Sequence, residues 1–206
     1  LGGPVRIGGT PEYPAVPSLY TLEPNPLAGL AAQVKAGVGV PVIAAAGFNR
    51  PEDAEAALER RAADLFAVGR AFLADPDWGI HARRGRPESI RPCIKCNQCH
   101  MAMIRGHLTR CAINPTLGET DERSIGRAQR QKQVAVVGAG PGGIEAAITA
   151  AARGHRVTLY EKDSDIGGNL RIGSLPFFKH DLRRYFDYTR RRLADSAVEV
   201  VLNREV

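Results

Sequence analysis

The chain has 206 residues, of which 44% are hydrophobic and 24% charged, and its formal net charge is +6. This composition is typical of an ordinary soluble chain of one large or two small domains, and no apolar run approaches the length of a membrane span. The basic residues concentrate at 83–91 and 183–192, outside any recognisable nucleic-acid-binding motif, so we expect neither a nucleic acid nor a membrane as partner. The second run has helical spacing and predicts a solvated helix face whose aromatic residues pack inward.

The first part of the chain predicts alternating helices and strands. Residues 1–26 are rich in Gly and Pro and predict a loop, with a short strand end near residues 5–7. The elements that follow are a helix at 27–36, a strand at 41–46, a helix ending near 61, a strand at 64–70 and a helical turn at 71–74. Asn49 is predicted to cap the second helix in a capping box with Glu52. This order indicates an α/β fold with a parallel sheet.

Three residues follow directly on the two predicted strands. Gly47 ends the first strand, and Gly69 and Arg70 end the second. Ligands of α/β folds bind at the carboxyl ends of parallel strands. A glycine there lets backbone N–H groups approach a phosphate, and an arginine adds a charged donor. The alternative is a pair of tight turns beside a surface arginine, and the spacing alone leaves both interpretations open.

All the cysteines of the chain lie within residues 91–115, at Cys93, Cys96, Cys99 and Cys111. Two-residue gaps let one loop turn three thiolates toward a common point, which is typical of a metal site. An iron–sulfur cluster is favoured over structural zinc, because zinc usually takes two separate Cys-x-x-Cys pairs. Disulfides are disfavoured because no hydrophobic signal segment is present, and we expect a cytoplasmic protein. Four thiolates complete the ligand shell, so His100 and His107 are predicted to be surface residues.

A dinucleotide-binding pattern follows a polar connector at 116–132. A strand is predicted at 133–137, a helix at 144–153 and a second strand at 156–160. Between the first strand and the helix lies a G-x-G-x-x-G sequence whose members are Gly138, Ala139, Gly140 and Gly143. In this context the motif is a strong indication of a nucleotide site, although a Rossmann-like unit without a nucleotide is the alternative.

Each motif residue has a predicted task. Gly138 permits the tight turn, Gly140 lets the backbone meet a pyrophosphate, and Gly143 brings helix and strand together. Glu161, which closes the second strand, is predicted to accept the hydroxyls of the adenosine ribose, so FAD or NAD(H) is favoured over NADP(H). The sequence Gly167-Gly168-Asn169 resembles the second phosphate-contacting turn of the two-dinucleotide flavoproteins, which favours FAD. A helix at 180–194 and a strand at 198–202 end the pattern.

The family resemblance rests on three stretches, PVIAAAGFNRPEDAEAAL, ADLFAVGRAFLADPDW and RPCIKCNQC. In this order they resemble the C-terminal part of the flavin barrel in the Old Yellow Enzyme-like NADH:flavin oxidoreductases. The likeness is to the branch with a 4Fe-4S cluster and a second flavin domain, typified by 2,4-dienoyl-CoA reductase and trimethylamine dehydrogenase. It implies that Gly47, Gly69 and Arg70 bind the phosphate of FMN and that the four cysteines bind the cluster. Some relatives keep only ADP where others hold FAD.

The resemblance also implies an internal fragment of a longer enzyme, because an eight-stranded barrel needs at least ~200 residues. The implied domains are part of a (β/α)8 FMN barrel at 1–86, a cluster segment and linker at 87–131, and the start of an FAD domain at 132–206. The longer enzyme would pass electrons from NAD(P)H through FAD and the cluster to FMN and reduce an activated C=C bond of a small-molecule substrate.

Other functions stay open beside that one. The runner-up is oxidation of an amine such as trimethylamine, and a zinc-stapled nucleotide-binding module without catalysis is the alternative from another class. The resemblance places a catalytic acid within residues 10–17, where Tyr13, beside Glu12, is the one good titratable candidate. A structural tyrosine explains that position equally well, so no catalytic residue is assigned.

Overall fold

In the computed structural model, which describes residues 28–45, 47–117 and 126–206, the chain divides into two units, Leu1–Pro115 and Thr116–Val206. The strand end predicted near residues 5–7 and the catalytic candidate Tyr13 lie outside the described residues. No helix in the described part of the chain is both long and apolar enough to cross a membrane.

The first unit contains two short parallel strands with helices around them. Its elements are α1 (Ala28–Gly37), β1 (Ile43–Ala45), α2 (Pro51–Glu59), β2 (Leu65–Ala67), α3 (Arg70–Ala74), α4 (Trp78–Arg83), a 3-10 helix (Pro87–Ser89) and α5 (Gln98–Ile104). The strands pair from Ile43 with Leu65 to Ala45 with Ala67. Because the strands are parallel, the segments that follow them emerge at the same edge.

Small side chains let these elements approach closely. The core around the strands consists of Ala44, Phe48, Ala57, Ala62 and Ala63. A second buried cluster contains Trp78, Ala71 and Ile90, so α3 and α4 pack against the segment that leads to the cysteines.

The capping box predicted for α2 is wrong. The N-cap position is Arg50, and no side chain caps the helix there. Pro51 occupies the first turn, where an N–H would have no partner within the helix, while Glu52 and Asp53 place negative charge at the helix N-terminus. The side chain of Asn49 hydrogen-bonds the backbone of Cys93.

The second unit is a parallel three-stranded sheet with helices between its strands. Its elements are β3 (Gln133–Val137), α6 (Pro141–Ala152), β4 (Arg156–Tyr160), α7 (Asn169–Gly173), α8 (His180–Ala194) and β5 (Val198–Val201). The strand order is β3-β4-β5, with Gln133 opposite Arg156 and Val157 opposite Val198. The strands β3 and β4 and the helix α8 lie within the predicted bounds.

The core of the second unit lies where α6 and α8 cover the sheet. Ile144 and Leu159 are fully buried, and Phe186 of α8 packs in the same cluster. The guanidinium of Arg192 on α8 forms an ion pair of 2.6 Å with Glu145 on α6. The predicted inward packing of the α8 aromatics is confirmed, since Phe186 and Tyr188 are both buried.

Candidate functional site

A cavity of about 310 Å³ opens where β1 and β2 end. It is lined by Ala45, Gly47, Phe48, Asn49, Ala67, Gly69, Arg70, Ala71, Cys93 and Lys95. We call it the strand-end cavity. All three residues predicted at an anion site, Gly47, Gly69 and Arg70, lie on its wall. Its volume is at the lower end of the range of small-molecule sites.

Two polar residues of this wall, Lys95 and Asn49, are not among the predicted site residues. Lys95 is buried and has a left-handed backbone with a φ of 53°. A long side chain in that conformation is uncommon and tends to occur at functional sites. Together Arg70 and Lys95 give the strand-end cavity two cationic side chains, which suit an anion. Asn49 is the other residue, and its amide reaches from the cavity wall to Cys93.

The cysteine segment, residues 91–115, folds around a turn at its second cysteine. Lys95 and Asn97, on either side of Cys96, both have left-handed backbones. The Lys95 N–H donates a hydrogen bond to Cys93 Sγ over 3.4 Å. The helix α5 then begins at Gln98, so Cys99 lies in its first turn.

Side chains of the cavity wall bond this segment at two points. Asn49 Nδ2 donates to the Cys93 carbonyl over 2.7 Å, and the Cys93 N–H donates to Asn49 Oδ1 over 3.1 Å. Arg70 Nη1 donates to Asn97 Oδ1. The cysteine loop is therefore connected to the strand-end cavity by hydrogen bonds from residues that follow β1 and β2.

Two further polar side chains hold the ends of the cysteine segment. The Arg91 N–H donates to the Asp75 carboxylate over 2.8 Å. Asn114 accepts from the Arg91 guanidinium over 2.9 Å and donates to the Leu73 carbonyl over 3.0 Å. Asp75 and Asn114 each precede a proline, and that turn signal was the one available indication of their role.

The thiols interact electrostatically with one another and with Arg70. Burial raises the pKa of Cys93 to about 11, against the hydrogen bond from the Lys95 N–H and the charge of Arg70, while Cys111 and Cys96 raise it further. Burial likewise raises the pKa of Cys99, and Arg70 opposes this shift. A bound cation would favour the thiolates, because a coordinating thiol is deprotonated.

The donor set suits iron or another thiophilic metal, since it consists of four partly buried thiols beside a guanidinium. Within the described ranges, however, no three His, Cys, Asp or Glu side chains are grouped so that they could hold a metal ion. The assignment of all four cysteines as ligands of one cluster therefore stays a prediction.

The glycine turn of the second unit, residues 138–143, joins β3 to α6. Gly138 has a φ of 93°, which favours glycine. Gly140 is the N-cap of α6 and has an extended backbone, with open space where a Cβ would be. A Cβ on Gly143 would lie 1.9 Å from the Gly138 carbonyl oxygen. Gly143 thus permits the close packing of helix on strand, whereas the space at Gly140 is available to a ligand.

Glu161 lies directly beyond β4 and is buried. Its carboxylate accepts hydrogen bonds from the Ala139 N–H over 2.7 Å and the Asp163 N–H over 3.0 Å. The Asp163 hydrogen bond is the main cause of a lowered pKa, with smaller contributions from Ala139 and Lys162 against the effect of burial. The carboxylate therefore remains charged at neutral pH and fixes the glycine turn.

The second predicted glycine pair lies against this turn. The Gly167 N–H donates to the Ala139 carbonyl over 2.7 Å, and a Cβ on Gly168 would be 3.6 Å from the Gly140 Cα. Asn169 begins α7 immediately afterwards. The structure thus brings both predicted phosphate-contacting turns of the second unit together.

Two family models match the chain. Residues 22–89 match the NADH:flavin oxidoreductase / NADH oxidase family, and residues 133–204 match FAD dependent oxidoreductase. The chain is 42% identical over 174 residues to an NADH oxidase of Thermoanaerobacter brockii, which covers 83% of this chain and 27% of that protein. It is 38% identical over 156 residues to an N,N-dimethylglycine/sarcosine dehydrogenase of Chromohalobacter salexigens, with 73% and 22% covered.

A solved structure of 2-naphthoyl-CoA reductase superposes with a TM-score of 0.84 at 32% identity, over 93% of this chain and 30% of that one. The chain spans less than a third of the length of these proteins. The resemblance drawn from the three sequence stretches is confirmed: the chain belongs to the NADH:flavin oxidoreductase / NADH oxidase family of enzymes.

Proposed function

We propose that this chain is part of an iron–sulfur flavoprotein that uses NAD(P)H to reduce an activated C=C bond of a small molecule. The first unit would belong to a (β/α)8 barrel and contribute to the site of FMN. It would also carry the ligands of a 4Fe-4S cluster. The second unit would begin the site of FAD, or of ADP in its place. The whole enzyme would receive electrons at FAD and deliver them to FMN.

One observation supports this proposal above the others. Arg70 and Asn49 line the strand-end cavity and hydrogen-bond the cysteine loop at Asn97 and Cys93. A flavin phosphate in the cavity and a cluster on the cysteines would therefore be neighbours held by the same side chains. Adjacent cofactors are what electron transfer requires.

Different residues of the chain would bind the FMN phosphate and the iron of the cluster. Arg70 and Lys95 would bind the FMN phosphate, and Gly47 and Gly69 would let the backbone approach it. Cys93, Cys96, Cys99 and Cys111 would bind the iron. When bound, the flavins exchange electron pairs and the cluster single electrons.

In the second unit, the N-terminus of α6 would face the pyrophosphate of the dinucleotide. Gly138, Ala139 and Gly140 would contact it, and Gly168 and Asn169 would contact the same ligand from the adjacent turn. Glu161 keeps lone pairs beyond the hydrogen bonds it accepts from the Ala139 and Asp163 N–H groups, and these lone pairs would bind the ribose hydroxyls. Its charge would disfavour a 2′-phosphate.

A second candidate function is oxidation of a methylated amine. It is favoured by the 38% identity to the N,N-dimethylglycine/sarcosine dehydrogenase. The two functions differ in the direction of electron flow. NAD(P)H-dependent reduction of an enoyl compound supports the first, and reduction of an artificial acceptor by a methylated amine supports the second.

The experiment that tests the cofactor assignment is iron, zinc and acid-labile sulfide analysis of the full-length protein that contains this chain. It should be combined with a visible spectrum and with separation of the released FMN, FAD and ADP. We expect iron and sulfide with both flavins. Zinc without labile sulfide would overturn the redox function in favour of a zinc-stapled module, and ADP in place of FAD would remove the electron-entry role of the second unit.

A further inference from the structure

We propose that Asn49 is a positioning residue for Cys93, and that it fixes the first cysteine of the loop relative to the strand-end cavity. This inference rests on the proposed function, because it assigns Cys93 to a metal centre. It adds a residue from the turn after β1, 44 positions before the cysteine it holds.

The Asn49 side chain bonds both main-chain groups of Cys93, and we call this pair of hydrogen bonds the clamp. One side-chain amide accepts a hydrogen bond from the Cys93 N–H and donates one to the Cys93 carbonyl. This arrangement satisfies both main-chain groups of a single residue, as a neighbouring strand would. The Asn49 side chain uses a donor and an acceptor at once, so it has one productive orientation. Both main-chain groups of the cysteine are thereby fixed.

The clamp is itself held by the core of the first unit. Asn49 is 4% exposed, and its carbonyl accepts a hydrogen bond from Trp78 Nε1 over 3.3 Å. Trp78 is buried in a cluster with Ala71 and Ile90. A supporting residue positions a site accurately when packing and hydrogen bonds restrict its own movement, and Asn49 meets this condition.

Asn49 also lines the strand-end cavity with Arg70. The position of Cys93 is therefore set by the same turn that forms the cavity wall. Hydrogen bonds around a metal ligand orient it and tune the centre, and loss of such a supporting partner typically costs 10- to 100-fold in metal affinity. Reduction potentials of iron–sulfur clusters respond to the same surroundings.

The test compares variants of the full-length protein, purified anaerobically with its cofactors. Asn49→Leu keeps the approximate size of the side chain and removes both hydrogen bonds. Asn49→Asp keeps an acceptor for the Cys93 N–H and removes the donor to its carbonyl. Trp78→Phe is the matched control, because it removes the hydrogen bond to the Asn49 backbone and leaves the amide clamp in place.

Three measurements follow on each protein: the rate of iron release to the chelator bathophenanthroline, the midpoint potential and electron paramagnetic resonance spectrum of the reduced centre, and the melting temperature. We expect Asn49→Leu to release iron about tenfold faster than wild type and to shift the potential and the spectrum. Asn49→Asp should release iron at a rate between those of wild type and Asn49→Leu. Trp78→Phe should lower the melting temperature and change the release rate, potential and spectrum less than Asn49→Leu does, because it removes one support of Asn49 and keeps both of its hydrogen bonds to Cys93.

Unchanged release, potential and spectrum in Asn49→Leu, on a wild type that holds a cluster, would overturn this inference alone. Equal changes in Trp78→Phe and Asn49→Leu would also overturn it, because the effect would then follow from general destabilisation. A wild type without iron and sulfide would overturn the proposed function and this inference with it.

Discussion

The two candidate sites of the chain are built in opposite ways. In the second unit, a continuous strand, turn, helix and strand place Ala139 and Glu161 together, and the packing depends on backbone and on the missing side chain of Gly143. In the first unit, individual polar side chains join segments far apart in sequence, such as Asn49 with Cys93 and Asn114 with Leu73. A site built like that of the second unit is visible in the sequence as a local motif. A site built like that of the first unit depends on residues far apart in sequence, which no short motif contains.

The largest expected effect concerns the cysteines. Replacing Cys96 or Cys111 with Ser should abolish the iron–sulfur absorption of the full-length protein, because a hard alkoxide is a poor ligand for such a cluster. Iron and labile sulfide analysis of each purified variant checks this. His100→Ser is the matched control and should keep the metal. Wild-type iron content in either cysteine variant would remove that cysteine from the ligand set.

Gly143→Ala should strongly destabilise the second unit. The added Cβ would lie 1.9 Å from the Gly138 oxygen, which is backbone and cannot move aside cheaply. We expect a loss at or above the top of the range of roughly 1–3 kcal/mol for overpacking. Urea unfolding followed by circular dichroism measures it. Gly142→Ala on the same helix has open space around the added group and should be neutral or slightly stabilising; equal losses in both would contradict the packing argument.

Gly140→Val should separate binding from folding in the same turn. Its backbone is extended, with a φ of −71°, and no atom lies within 4 Å of an added Cβ. The variant should therefore fold, yet its side chain would occupy the path of the pyrophosphate and abolish adenine-dinucleotide binding. Separation of released FAD, FMN and ADP from the full-length variant checks this. FAD retained at the wild-type ratio would disprove the nucleotide assignment of the turn.

Arg70→Ala should weaken retention of FMN by the full-length enzyme. A hydrogen bond to a charged group contributes about 1.5–3 kcal/mol, so the FMN dissociation constant should rise about 10- to 100-fold. Fluorescence titration of the FMN-depleted protein with FMN measures the change. Arg50→Ala, on the N-cap of α2 outside the strand-end cavity, is the control and should bind like wild type. Equal affinities in Arg70→Ala and wild type would show that Arg70 does not bind the FMN phosphate.

Glu161→Gln should have the smallest effect, and that effect should depend on pH. Hydrogen bonds from Asp163 and Ala139 hold the pKa of the carboxyl below its usual value. Its contribution to stability is therefore present above the unfolded-state pKa and is lost as pH falls through the folded-state pKa. We expect the variant to be about 1 kcal/mol less stable near neutral pH, with the difference closing below pH ~4. A difference that is constant from pH 7 to 3 would contradict the role of the charge.

The sequence predicted the second unit better than the first for a physical reason. The strands β3 and β4 and the helix α8 follow from hydrophobic periodicity, and the tasks of Gly138 and Gly143 follow from the local turn. Asn49 fits a capping box by its neighbours in the sequence, whereas its actual partner is 44 residues away. No sequence pattern indicated a role for Lys95, because a left-handed backbone at a lysine cannot be recognised from composition or spacing.

The contact between Gly143 and the Gly138 carbonyl has a consequence for how related sequences diverge. Selection for a folded second unit acts on Gly143 whether or not a nucleotide is bound, because the 1.9 Å clash would arise in either case. Gly140, which has open space around it, would be constrained by the proposed nucleotide and not by packing. A descendant that ceased to bind the nucleotide would therefore be free to replace Gly140 while it retained Gly143. Replacement of Gly140 in a sequence that keeps Gly143 would then mark a lineage that retains the fold of the second unit and no longer binds the nucleotide.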